Sequence, residues 1–559
     1  MAFQILLDQI GGLGRFQILH TIVLLTICIM VNPRVMLENF TAVVPSHRCW
    51  VHVLDNETVS GNDSEILSKE ALLRISIPLD SNLRPEKCRR FIHPQWQLLH
   101  LNETFSNTVK PDTEPCMDGW VYNQSSFLST IVTEWDLVCE SESLNSVAKF
   151  VFMAGTLVGS IVFGYLSDRF GRSLILKWCI FQLAIVDTCV AFARTFPSYC
   201  LLRFLAGIST PAIMANCSIL IIEWVAPRFQ ALGMILGVCA FSAGQVLLTG
   251  LAYAIRDWRT LQLVVSAPVF VLIFFSRYLT ESARWLIINN KPEEGLKELK
   301  KAACRNGRKD VGDTLTVEVL KSAMKEEMDL AQTKYFLCDL FSTPTLRMRM
   351  ISTAFVRFSI IMTYYGLAFH IQHLGSNIFL LHCLFGAVNL PASYVANLTL
   401  NHMGRRSTQT LSMFLQGLCL LVIIFIPQEM QILRVVISTL GVGFSFVAVI
   451  GSFVHGNELF PTVIRATALG TAGIFSSLGA AVSPLLMILK IYSPLLPWII
   501  YGILSILAGL VILLLPETRN QPLPDTIQDV EKNFHCICPR KKVSRNAKEE
   551  DAFIKVTRF

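Results

Sequence analysis

Apolar residues run in stretches of about twenty, separated by short polar turns, at residues 16–36, 146–166, 174–194, 199–221, 231–254, 261–279, 350–370, 377–399, 408–426, 432–454, 466–488 and 494–515. Each run is long enough to cross a hydrocarbon core of about 30 Å at about 1.5 Å per helical residue, so the pattern predicts twelve membrane-spanning helices. Two connections are long, residues 37–145 and 280–349. Within the second, residues 292–306 and 316–332 read as amphipathic helices lying on a membrane surface.

Composition sharpens this picture. With 559 residues, 52% hydrophobic, 16% charged and a mean hydropathy of +0.50, the chain has too much apolar surface for a soluble protein. The net charge of +7 does not imply a nucleic-acid partner. Basic residues gathered beside spans hold loops in the cytosol, as Lys297, Lys300, Lys301, Arg305, Arg308, Lys309, Lys321 and Lys325 are expected to do for the 280–349 connection. The first run lacks a small-residue cleavage site and reads as the first span. The expected organisation is a cytoplasmic N-terminus (1–15), a six-helix bundle (16–279) carrying an extracellular loop (37–145), a cytoplasmic linker (280–349), a second six-helix bundle (350–515) and a cytoplasmic tail (516–559). The loop holds Cys49, Cys88, Cys116 and Cys139 with glycosylation acceptors at Asn56, Asn62, Asn102 and Asn123, the signature of an oxidising, outward-facing segment. Three disulfide pairings are open.

The chain also repeats itself. Gly171-Arg172 after the second run recurs as Gly404-Arg405-Arg406 after the eighth. EWVAPRFQALG from Glu223 echoes ELFPTVIRATALG from Glu458, and Glu281-Ser282-Ala283-Arg284 echoes Glu517-Thr518-Arg519. Three echoes in the same order, each offset by about 235 residues, argue for two related halves. Two such halves enclose a cavity at mid-membrane, and rocking one against the other exposes it to each side in turn. Asp168, Arg169, Arg172, Glu223, Arg228, Glu281 and Arg284, facing Arg405, Arg406, Glu458, Arg465, Glu517 and Arg519, are the candidate latch for that motion.

The turn from Gly164 through Asp168, Arg169, Gly171 and Arg172 resembles the signature loop of the major facilitator superfamily. GGLGRFQ at 11–17, Asn39-Phe40-Thr41-Ala42, Glu114-Pro115-Cys116, Asp118-Gly119-Trp120, STIVTEWDLVC at 129–139, ESARW at 281–285, Tyr364-Tyr365-Gly366 and LPET at 515–518 are similar to the organic ion transporters, and within them to the organic anion branch. The resemblance implies an all-α polytopic fold of two pseudo-symmetric six-helix bundles in the plasma membrane. It implies exchange of amphipathic organic anions against an intracellular counter-anion, independent of sodium and ATP, with no cofactor. Consistently, the sequence carries no phosphate-binding loop and no zinc-protease or nucleophile-elbow motif, so an enzyme is not expected.

The pocket departs from the family pattern. Anion-carrying members place a lysine after Leu390-Pro391-Ala392 where this chain has Ser393, and an arginine where it has Ser477. The aspartate that cation carriers place near the latter position is missing as well. A bulky, monovalent, largely hydrophobic substrate such as a sulfated or glucuronidated steroid fits these losses better than a small dicarboxylate. Carriage of neutral or zwitterionic solutes, or a transport-silent receptor, are the rival readings. Charged residues inside spans invite function because each is costly there, about 2.5–3.5 kcal/mol at a helix centre. Arg357 leads, with Tyr364 seven residues on along the same helix face. Arg34 is a second candidate, Asn39 belongs to the first-span motif, and Tyr365, Phe453 and Phe241 match family pocket aromatics. Arg203 resembles a family arginine of helix packing and gating. The ending Thr557-Arg558-Phe559 suits a PDZ-type strand-addition scaffold, and Cys536 and Cys538 beside Arg540-Lys541-Lys542 suit either acylation near the inner leaflet or plain reduced thiols.

Overall fold

A computed structural model describes residues 2–55, 69–80, 84–96, 112–325, 328, 337–369, 371, 377–427, 430–524, 526–528 and 530–531, with residue 429. Twelve apolar helices organise them. In chain order they are α1 (Arg15–Val31), α2 (Ser143–Phe170), α3 (Arg172–Val190), α4 (Phe196–Trp224), α5 (Pro227–Ala254), α6 (Trp258–Phe275), α7 (Pro344–Phe369), α8 (Ile378–Met403), α9 (Arg405–Phe425), α10 (Gln431–Leu459), α11 (Arg465–Leu486) and α12 (Leu496–Ile512). Eleven are long and apolar enough to cross a membrane, and α12 is a shorter apolar helix. The apolar runs located all twelve. Several helices exceed their runs because polar end turns, invisible to hydropathy, continue the backbone hydrogen bonds beyond the hydrocarbon.

Local chemistry sets the helix ends. Thr195 and Asp257 cap α4 and α6 by accepting from Ser198 N (3.4 Å) and Thr260 N (2.8 Å), and Asn377 caps α8. Close crossings rest on glycine. A Cβ on Gly159 of α2 would lie 2.0 Å from the carbonyl oxygen of Ile208 in α4, so no larger residue permits that approach.

The long connection after α1 forms a small disulfide-bonded domain. Strand β1 (His47–Cys49) pairs antiparallel with β4 (Trp120–Tyr122), and β2 (Arg89–Phe91) with β3 (Thr113–Pro115). Cys49 joins Cys116 and Cys88 joins Cys139, which selects one of the three possible pairings. The 129–139 motif docks this domain on α6. Thr130 caps a helical turn, Glu134 accepts from Trp258 Nε1 at 2.9 Å and pairs with Arg259, and Trp135 packs on Tyr199 and Trp258. Asn123 is exposed; Asn56, Asn62 and Asn102 lie outside the described residues.

At the other end, the predicted amphipathic helix at 292–306 is observed as Pro292–Arg305, and the start of the second as Val317–Ala323. A further helix, Ala2–Ile10, precedes α1. Asn306 ties these parts together, donating to Ile10 O (3.1 Å) and Gln17 Oε1 (2.9 Å) and accepting from Phe16 N (2.9 Å). The two ends of the molecule are called below the disulfide side and the linker side.

Candidate functional site

The repeated motifs meet on the linker side as two copies of one device. Gly171, at φ +110°, turns the chain from α2 into α3, and the Glu281 carboxylate accepts from Arg172 N (3.1 Å) and Ser173 N (2.9 Å). Gly404, at φ +95°, turns α8 into α9, and Glu517 accepts from Arg405 N (2.8 Å) and Arg406 N (3.0 Å). Each carboxylate satisfies amides at a helix start, where the helix dipole also favours negative charge. The arginine of each copy then turns to the end of a second helix, Arg172 to Glu223 of α4 and Arg405 to Glu458 of α10 at 2.9 Å. Burial pushes the Glu517 carboxyl up, but the amides of Arg405, Arg519 and Arg406 more than offset this and hold it below the usual glutamate range.

Among the described residues these ion pairs form within a half, not between halves. Asp168, Arg169 and Arg284 are exposed, and Arg169 donates to Tyr165 Oη. Arg228 pairs with Asp8 at 3.4 Å, Arg465 donates to Phe460 O, and Arg519 to His402 O. A side chain at Gly164 would meet only open space.

Contacts between the halves gather toward the disulfide side. Asn39 Nδ2 donates to Ala368 O at 2.7 Å and Lys149 Nζ to Phe369 O at 3.1 Å, so two N-half side chains hold the last carbonyls of α7. Phe40 stacks on Phe379 and sets its edge against His382, which shares a 2.9 Å hydrogen bond with Thr249 of α5. Glu142 lies 3.8 Å from Lys490. At mid-height Ser160 and Ser477 face each other across the halves at 3.2 Å. These contacts join the two halves on the disulfide side.

The buried charges fall into two classes. Arg34 is enclosed by Asp187 of α3 and the carbonyls of Met30 and Val265, and Arg203 of α4 bonds Glu38 at 2.9 Å and stacks over Phe152. Both sit within the N half with their charge already answered, so Arg34 is placed as a structural pair rather than at the opening between halves. Arg357 of α7 differs. It is 4% exposed, no carboxylate lies within 4.0 Å of it among the described residues, and it has only Ser452 O at 3.3 Å and the face of Phe453 at 4.6 Å. Its Nε has no hydrogen-bond partner among the described residues. Phe453 itself is 53% exposed. A Cβ on Gly456 would approach Arg357 Nη2 to 3.0 Å, so that glycine makes room for the guanidinium.

Tyr364, buried, and Tyr365, half-buried, meet edge to face at 5.3 Å, and Tyr365 stacks on Phe369. Phe241 of α5 is half-buried, and Ser393 bonds back to Leu390 O in its own helix. Arg357 and Tyr364 share a helix face two turns apart. Pattern reading passed over Lys149, although a lone lysine inside an apolar run is itself a signal. It passed over Asn306 too, whose role depends on a contact 290 residues away that no local pattern encodes.

This architecture has known relatives. The family model described as sugar (and other) transporter matches residues 97–529. The chain is 60% identical to solute carrier family 22 member 25 of Homo sapiens over 95% of its own length and 97% of that protein. It is 57% identical, over the full length of both chains, to the steroid transmembrane transporter SLC22A24 of Microcebus murinus and to that of Homo sapiens. Among solved structures, the xylose transporter XylE from E. coli superposes with TM-scores of 0.56 and 0.57 at 19% and 16% identity, covering 72% and 91% of this chain and 93% and 100% of that one. That likeness concerns the fold alone. With its duplicated glycine-carboxylate turns and its two apposed helical halves, the chain belongs to solute carrier family 22, the organic ion transporters of the major facilitator superfamily, and is a transporter rather than an enzyme.

Proposed function

We propose that this chain carries bulky, amphipathic organic monoanions, sulfated or glucuronidated steroids foremost, across the plasma membrane by exchange through alternating access, without sodium or ATP. The disulfide side is extracellular in this reading, because disulfides form and persist there, and the linker side is cytosolic. The observation that carries it is the buried, carboxylate-free guanidinium of Arg357 beside the exposed ring of Phe453. A desolvated guanidinium without a counter-charge is a receptor for a sulfate or carboxylate, because the substrate restores the pairing that Arg34 and Arg203 obtain from the protein. With Ser393 and Ser477 where relatives of this type place cations, one fixed positive charge suits one negative charge on the solute. Tyr364, Tyr365, Phe453 and Phe241 offer faces for a steroid body. Relatives at 57% identity that bear the name of steroid transmembrane transporters support the substrate class.

The contacts that join the halves on the disulfide side suit the cytosol-facing state of the cycle, in which the latch residues separate. The test is uptake of a labelled steroid sulfate into cells expressing the chain at matched surface level. Arg357→Ala is expected to cut uptake at least tenfold while Arg357→Lys retains part of it. Undiminished uptake by Arg357→Ala removes the assignment. Uptake of a neutral steroid that is equally rapid in both proteins would favour a carrier of uncharged solutes.

A further inference from the structure

The two halves meet along a seam between α5 and α8, where residues of one helix stand level with residues of the other. Thr249 and His382 share a hydrogen bond of 2.9 Å. One turn nearer the linker side, a Cβ on Gly386 would stand 3.2 Å from Cβ of Gln245. A further turn in the same direction, three residues on along each helix, brings Ser242 level with Asn389, because positions spaced by three and four share one helix face.

This third pair does not close. Ser242 is 2% exposed and Asn389 is wholly buried, yet Ser242 Oγ and both Nδ2 and Oδ1 of Asn389 have no hydrogen-bond partner among the described residues. The polar neighbour of Asn389 on α7 is the Tyr364 hydroxyl, which approaches the amide without satisfying it. Leaving a buried amide and a buried hydroxyl unpaired is costly, so the pair points to an occupant that supplies the missing bonds. The groups are neutral: an amide with two N–H donors and a carbonyl acceptor, and hydroxyls that serve in either role. They suit an uncharged oxygen, either a ketone that accepts from Nδ2 or a hydroxyl that donates to Oδ1, rather than an anionic head.

Their distance from the Arg357 guanidinium fits one class of solute. Arg357 and Tyr364 are seven residues apart on α7, about 10 Å along the axis at about 1.5 Å per residue, close to the length of a fused four-ring skeleton. We propose, on the reading of the chain as a carrier of steroid conjugates, that Asn389 is a specificity-determining residue. Opposite Ser242 and beside Tyr364, it binds a ketone or hydroxyl oxygen at the end of the steroid remote from the anionic group that Arg357 holds. The preferred solutes are then conjugates that also carry oxygen at that far end. Because Ser242 and Asn389 belong to opposite halves, the bound oxygen lies where the halves meet.

The test compares uptake, at matched surface level, of estrone 3-sulfate and of its 17-deoxy counterpart, which has the same sulfate and skeleton without the remote ketone. In the unaltered protein Vmax/KM should favour the ketone about tenfold, the worth of one hydrogen bond to an otherwise unpaired amide. Asn389→Leu, of similar size with no polar side-chain atom, should lower that preference to about twofold or less. Ser242→Ala should lower it in the same direction, and this variant decides the matter if Asn389→Leu does not reach the surface. Arg357→Ala should slow both conjugates alike and keep the preference, because it acts on the sulfate they share. No preference in the unaltered protein, or one undiminished in Asn389→Leu and Ser242→Ala, would overturn the assignment and leave the seam to bound water. Failure of the unaltered chain to take up either conjugate would instead overturn the steroid reading, and the role of Asn389 with it.

Discussion

The Cβ that Gly171 lacks would stand 2.6 Å from Oε2 of Glu281, and the one that Gly404 lacks would stand 2.7 Å from Oε2 of Glu517. Turn and carboxylate are therefore a single fitted unit, built twice. Both glycines also hold a positive φ that L-residues seldom adopt. Gly171→Ala and Gly404→Ala should each displace the carboxylate and add backbone strain, costing about 1–3 kcal/mol. Lower Tm and reduced surface expression are the measurable outcomes, with Gly164→Ala as the neutral control because open space surrounds it.

A different penalty attaches to the buried pairs. Asp187→Asn leaves the Arg34 guanidinium, wholly buried, without its counter-charge, a loss of about 3–5 kcal/mol when one partner of a buried pair is removed. The double change Arg34→Gln with Asp187→Asn removes both charges and should recover much of that loss. A thermal-stability cycle on the four proteins measures the coupling. Absence of recovery would mean that Arg34 depends on the carbonyls of Met30 and Val265 more than on the carboxylate.

How far these features were legible follows from their range. The spans and the duplication could be read along the chain, because hydropathy is local and the motifs of the two halves recur in order. Arg34 could not be placed, because an arginine near a span end looks alike whether it snorkels, binds substrate or meets Asp187 of α3, 153 residues away. The latch residues are legible as two charge clusters on facing loops, and Arg172 and Arg405 pair within their own halves. Sequence carries which residues are charged; it does not carry which of several states the chain occupies. The choice among three disulfide pairings likewise needed the tertiary approach of Cys49 to Cys116 and of Cys88 to Cys139, 67 and 51 residues apart in sequence.

Acid should act on the Glu517 unit. Its carboxyl is held below the usual range in the folded protein, so its contribution to stability is fully present above the unfolded glutamate value of about 4.3 and is lost as pH falls through the folded value. The Tm difference between pH 7 and pH 4 should be smaller in Glu517→Gln than in the unaltered protein. An equal difference in both would assign the acid sensitivity to other carboxylates.

The closure at the disulfide side makes the remaining prediction. Helix α7 ends in carbonyls without helical partners, and Asn39 donates to Ala368 O from the opposite half. This bond exists only while the halves are closed there, so its removal favours the open state by the net worth of one hydrogen bond, about 1 kcal/mol or roughly fivefold in the equilibrium. Lys149, bonded to the next carbonyl, keeps the closure from failing outright. A cysteine at Gln245, which is 4% exposed at the seam where α5 meets α8, reports the change. Asn39→Ala should raise its labelling by a membrane-impermeant thiol reagent applied on the disulfide side by about that factor, and the steroid sulfate should still compete for uptake. If labelling is unchanged while transport falls, Asn39 acts on the substrate directly and the closure rests on the aromatic contacts of Phe40 and Phe379.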